Sequence, residues 1–78
     1  SRLNIKNIQA SNSKMGIASK DSSIVNLDNV RVENVSICLA AYKKKQEFNG
    51  GIININNDFY CNNFESEQSV DNFSIISN

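Results

Sequence analysis

A site that cleaves polysaccharide on a β surface has recognisable parts. A lyase needs carboxylates gathered around calcium and a base to take a proton. Here only Asp28 and Glu33 lie near Arg31, and the two acids fall on different walls of the repeat described below. A glycoside hydrolase needs two carboxyl groups facing each other across a cleft, and no outward position supplies such a pair. The chain has no His, and Cys38 and Cys61 lack CxxC or other metal-ligand spacing. There is no nucleophile elbow and no phosphate loop. The sequence therefore predicts no catalytic residue, no metal site and no cofactor.

What remains is contact chemistry. One cluster combines Lys20 and Asp21 with Tyr42, Lys43, Lys44 and Lys45. These cations could hold an anionic sugar. The plainer reading is a solvated Asp–Lys contact that steadies a loop, since an exposed ion pair contributes less than about 1 kcal/mol. A second group displays Gln9 and Ser11, then Arg31 and Glu33, then Tyr60 and Asn62. There an aromatic ring could pack on a sugar while amides and carboxylates bond its hydroxyls. The candidate carbohydrate or partner contacts are thus Lys20, Asp21, Arg31, Glu33, Tyr42, Lys43, Lys44 and Tyr60. A further wall of Asn4, Lys6, Asn26, Asp28, Asn54 and Asn56 reads as plain solvent surface.

The elements that must position these residues form a repeat. Displacing the chain by about 22 residues sets Leu3 on Val25, Ile5 on Leu27, Ile8 on Val30, Ala10 on Val32, Met15 on Ile37 and Ile17 on Leu39. A third copy sets Ile53 and Ile55 on Val25 and Leu27, and Phe59, Cys61, Asn63 and Phe64 on Val30, Val32, Asn34 and Val35. The longer interval leaves extra residues between Lys43 and Gly51, and one near Asn57. Val70-Asp71-Asn72-Phe73-Ser74-Ile75 echoes Leu27-Asp28-Asn29-Val30-Arg31-Val32 and reads as the start of a fourth copy. Within each copy apolar and polar residues alternate with period two, which specifies strands. Three short strands per turn of roughly 20 residues, each turn stacked ~4.8 Å above the last, predict an all-β fold. The expected form is a right-handed parallel β-helix, or solenoid, of about three rungs: 1–22, 23–51, 52–69 and a partial rung 70–78. A small antiparallel sandwich is the alternative, but it leaves the 22-residue coincidences unexplained.

Asn12, Asn34 and Asn63 are expected to form a structural ladder at one corner. Asn tolerates a left-handed backbone, and its amide can bond the Asn above and below. That role weighs against glycosylation of the sequon Asn34-Val35-Ser36; Asn72-Phe73-Ser74 is a second sequon. The register places Cys38 and Cys61 on different walls, so free thiols are expected.

The composition fits. Asn and Ile are abundant, and Pro and Trp are absent along with His. The zero net charge is unevenly spread. Residues 1–45 carry eight basic and three acidic groups, a balance of +5; residues 46–78 carry five acidic groups and no basic one, a balance of −5. A short Lys run on a neutral chain argues against nucleic-acid binding. No apolar run spans a membrane. Lacking an initiator Met and a signal peptide, the chain reads as a piece of something larger, to be completed by further rungs or by end-to-end stacking into a homo-oligomer. Polysaccharide is the other partner considered.

Two stretches carry a family resemblance. Gly16-Ile17-Ala18-Ser19-Lys20-Asp21-Ser22-Ser23 is followed by Leu39-Ala40-Ala41-Tyr42-Lys43-Lys44-Lys45 and by Phe48-Asn49-Gly50-Gly51. This resembles the parallel β-helix repeats of the pectate-lyase-like superfamily, as found beside spore-coat-type kinase domains in bacterial surface proteins. The resemblance covers about residues 3–57. It implies a β-helix scaffold in a secreted or cell-surface setting, and no established activity for the repeat itself. Cys38 departs from the pattern, which usually has Gly there.

Overall fold

The computed structural model describes residues 2–44 and 49–78, and the described chain is all β. Three long strands, β1 (Arg2–Lys20), β2 (Ile24–Tyr42) and β3 (Ile52–Val70), are followed by a short β4 (Ile75–Ser77). They form one sheet in the order β1-β2-β3-β4, with every neighbouring pair parallel. A 19-residue strand held straight is about 63 Å long at ~3.3 Å per residue, yet the longest dimension of the molecule is 34 Å. Each long strand must therefore bend.

The bends sit at residues with left-handed backbone. Asn7, Asn29 and Asp58 (φ 54°, 55° and 20°) mark one, and Asn12, Asn34 and Asn63 (φ 58°, 54° and 57°) mark the next. A Cβ in this conformation costs about 1–2 kcal/mol, which Asn offsets with local hydrogen bonds. Because equivalent residues in all three strands bend alike, the strands stay paired around each corner.

The register follows from the apolar pattern. Leu3, Ile5, Ile8, Ala10 and Ile17 lie beside Val25, Leu27, Val30, Val32 and Leu39. Val25, Leu27, Val30, Val32 and Val35 lie in turn beside Ile53, Ile55, Phe59, Cys61 and Phe64. The register shifts once, between Leu27 and Asp28, where Asn56 is passed over on β3. The core belongs to the middle strand: Leu27, Val30, Val32 and Cys38 are fully enclosed, together with Ile53. The outer strands are covered from one side only, so Leu3 and Ile8 on β1 and Phe64 and Val70 on β3 remain exposed.

Two expectations need correction. The fourth copy does not begin at Val70. Val70 ends β3 beside Ala41, and the next strand starts at Ile75, which pairs with Ile52 while Ile76 pairs with Ile53. The matching sequence around Val70 is a turn, and its Asp and Ser serve the loop described below.

The thiols are not free, because Cys38 and Cys61 form a disulfide with a Cα separation of 6.3 Å. The two lie on different segments, since Cys61 pairs with Val32 before the Asn34 bend and Cys38 follows that bend. Inward residues of facing segments nevertheless meet, because the interior between them is narrow. Gly16 reports the same narrowness, since a Cβ there would lie 2.6 Å from a Val32 methyl. The period-two pattern also breaks at this point: Cys38, Leu39, Ala40 and Ala41 are all buried in succession.

Candidate functional site

The insertion after Tyr42 is held from both sides. On the β1 side, the Asp21 N–H donates to the Tyr42 carbonyl (3.2 Å). Its carboxylate accepts the Lys44 backbone N–H (2.7 Å). Ser22 exchanges two bonds with Asn49: its N–H donates to the Asn49 carbonyl (2.8 Å), and its hydroxyl accepts the Asn49 N–H (2.9 Å). On the β3 side, the Asp71 carboxylate accepts the N–H groups of Lys43 (2.7 Å) and Phe73 (3.0 Å). The Ser74 hydroxyl accepts the Gly51 N–H (3.0 Å). Asp21 with Ser22 and Asp71 with Ser74 thus grip the same loop from its two neighbours.

Gly50 and Gly51 permit this grip. A Cβ on Gly50 would lie 2.1 Å from the Phe73 carbonyl oxygen, and one on Gly51 would lie 2.1 Å from that of Ser19. Any side chain at either position would push the loop off the stack. The Ser74 hydroxyl, ahead of the Lys43 N–H, holds the Asp71 carboxyl below its ordinary value of 3.8. Partial burial opposes the shift, while the Phe73 N–H and the Lys43 charge add to it.

The predicted contact residues separate into two groups. Lys20 lies beside Tyr42 in the β1–β2 register, and Asp21, Lys43 and Lys44 join them through the loop bonds. Between rungs, the Asp21 carboxylate accepts the Lys44 main-chain N–H. The Lys43 ammonium lies 3.9 Å from the centre of the exposed Phe73 ring, a cation–π arrangement. Lys45 lies outside the described residues. In the second group Arg31 neighbours Tyr60, and Glu33 neighbours Asn62. The Arg31 guanidinium stands 5.8 Å from the centre of the Tyr60 ring, which is half-exposed. The two groups lie on different segments, either side of the Asn34–Asn63 bend. Among the described residues no three His, Cys, Asp or Glu side chains gather as metal ligands.

Side-chain amides link the strands more widely than the sequence suggested. Asn34 donates to Asn12 (3.2 Å), and Asn63 donates to Asn34. A second ladder runs along the wall read as plain solvent surface. Asn26 donates to Asn4 (2.9 Å), Asn54 to Asn26 (2.9 Å), and the Ser77 hydroxyl to Asn54 (3.0 Å). Asn29 also donates to Asn7 (2.8 Å). The signal was present, since Asn4 and Asn26 share the 22-residue offset. The offset does not separate the two cases, because an outward amide reads equally well as a hydrated one.

Both outer strands keep a free edge among the described residues. β1 is paired on one side only, and β4 covers only Ile52–Asn54 of β3. On the β3 side the interior opens as a cavity of about 470 Å3, lined by Leu39, Ile55, Phe59, Glu67, Gln68 and Ile76 among others. No family model, curated protein or solved structure matches this chain.

Proposed function

We propose that the chain is a stretch of right-handed parallel β-helix that serves as a structural or interaction module of an extracellular protein, similar to the repeats of the pectate-lyase-like superfamily. The observation that carries this reading is the stack itself. Three long strands repeat in register through two shared bends, amide ladders tie the strands, and a disulfide joins facing segments. A repeat whose units contact only their neighbours supports a long surface and leaves its ends to be covered. Disulfides persist in oxidising compartments, which favours the extracellular setting.

The test is secretion into an oxidising compartment followed by limited proteolysis with and without reductant. The oxidised chain should carry the Cys38–Cys61 bond and resist cleavage, and reduction should open it. A secreted chain with both thiols free and undiminished resistance would refute the reading.

One observation favours carbohydrate contact as a second reading. Tyr60 is exposed on a polar wall with Arg31 against its ring and Asn62 two residues along the strand. Retention on an acidic polysaccharide that is lost in Tyr60→Ala would support it, and no retention of the wild-type chain would end it.

A further inference from the structure

The two free edges carry opposite charge. β1 holds Arg2, Lys6, Lys14 and Lys20 and no acidic residue. β3 holds Asp58, Glu65 and Glu67 and no basic residue. Their registers also continue. Ser13 and Met15 lie beside Val35 and Ile37, which lie beside Phe64 and Ser66. Lys14 and Glu65 therefore occupy the same place in the repeat. By the same count Ile8 corresponds to Phe59 and Asn12 to Asn63, and Lys6 corresponds to Asn57, next to Asp58.

We propose that the partner of this module is a second copy of itself, stacked head to tail, with β1 of the incoming copy pairing in parallel onto β3 of the first from Asn57 to Val70. The proposal rests on the solenoid reading above and names its partner. Lys14 of one copy then meets Glu65 of the next, and Ile8 covers Phe59 at the mouth of the open cavity. The Asn63 amide oxygen is positioned to receive the Asn12 amide, which extends the ladder across the junction. Unpaired strand edges are ready templates for such addition, and opposed charges favour this orientation over edge-to-edge pairing of like ends.

The contact has one cost. Arg2–Asn4 of the incoming copy and Ile75–Ser77 of the first seek the same place over Ile52–Asn54. One of them must peel back. The contact is also heterologous, so it propagates into an open series and does not close at a dimer.

Sedimentation velocity of the full chain, across a concentration range at low and raised salt, tests this. The wild type should form a ladder of oligomers that lengthens with concentration and shortens with salt. Lys14→Glu alone and Glu65→Lys alone should each weaken association about tenfold. Mixed, they should recover it as an alternating series, because a junction between the two variants pairs opposite charges in either order while each variant still repels its own kind. A wild type that stays monomeric overturns the proposal whether or not either variant folds. So does association that ignores both variants, or a mixture that fails to recover. Protease resistance of the oxidised monomer reports on the scaffold separately, so loss of self-association with resistance intact removes only the head-to-tail contact.

Discussion

Removing the Cys38–Cys61 bond takes away a covalent tie between facing segments of this chain. A 78-residue domain has few routes to stability beyond its core, and here the fully enclosed residues lie mostly on one strand. The bond joins residues separated by 23 in sequence. In the chain-entropy treatment, closing a loop of that length in the unfolded state contributes roughly 3.4 kcal/mol at 25 °C. Set against ~0.05–0.15 kcal/mol per residue of net stability, or about 4–12 kcal/mol in all, that is between a quarter and most of the total. The cleanest comparison is the oxidised chain against Cys38→Ala/Cys61→Ala. Serine at position 38 would instead bury a hydroxyl at a fully enclosed site. With a urea m-value near ~1 kcal/mol/M for a chain this small, the midpoint followed by far-UV circular dichroism should fall by about 3 M. An unchanged m-value would locate the effect in stability alone. A midpoint within about 0.5 M of the oxidised chain would refute the reasoning, because it would mean the bond restrains nothing the unfolded chain could otherwise explore.

Three further outcomes are expected. Leu27→Ala, at a fully enclosed position on the middle strand, should cost about 2–5 kcal/mol, while Leu3→Ala on the exposed edge strand should stay within about 0.5 kcal/mol in the same urea titration. Asn34→Ala removes a ladder residue bonded on both sides and puts an Ala at φ 54°. It should cost about 2 kcal/mol, and Asn34→Gly should recover the backbone part but not the bonds; equal losses for the two would discard the left-handed-bend argument. The Asp71 carboxyl is held below 3.8 in the folded chain, so its grip on the loop is present above that value and is lost as pH falls through the lower folded value. The Lys43 amide proton resonance should follow this titration with a midpoint below 3.8, and a midpoint at or above 3.8 contradicts the clamp.

Much of the architecture is legible in the residues because its cause is local and repeated. Leu3, Val25 and Ile53 occupy one column since a period-two strand slipped by one residue turns its whole apolar face outward. Asn12, Asn34 and Asn63 mark a bend because few other side chains accept a left-handed backbone there. The candidate contacts were legible only as residue types. Lys20, Tyr42, Lys43 and Lys44 do gather, but main-chain N–H groups of the loop do much of the bonding, and side-chain identity says little about where a backbone donor points.

Sequence alone determined the columns of the apolar residues in the three long strands, the bend at Asn12, Asn34 and Asn63, and the place where the repeat is interrupted. These depend on spacing along one chain. The tertiary structure decided what meets across space. It joined Cys38 to Cys61 because the interior is narrow enough for facing segments to touch. It started the fourth strand at Ile75 because Val70 was already paired with Ala41. It also turned Asp71 and Ser74 into a clamp on a loop from the preceding turn of the repeat. Each of these rests on a distance between segments, and a one-dimensional pattern does not contain that distance.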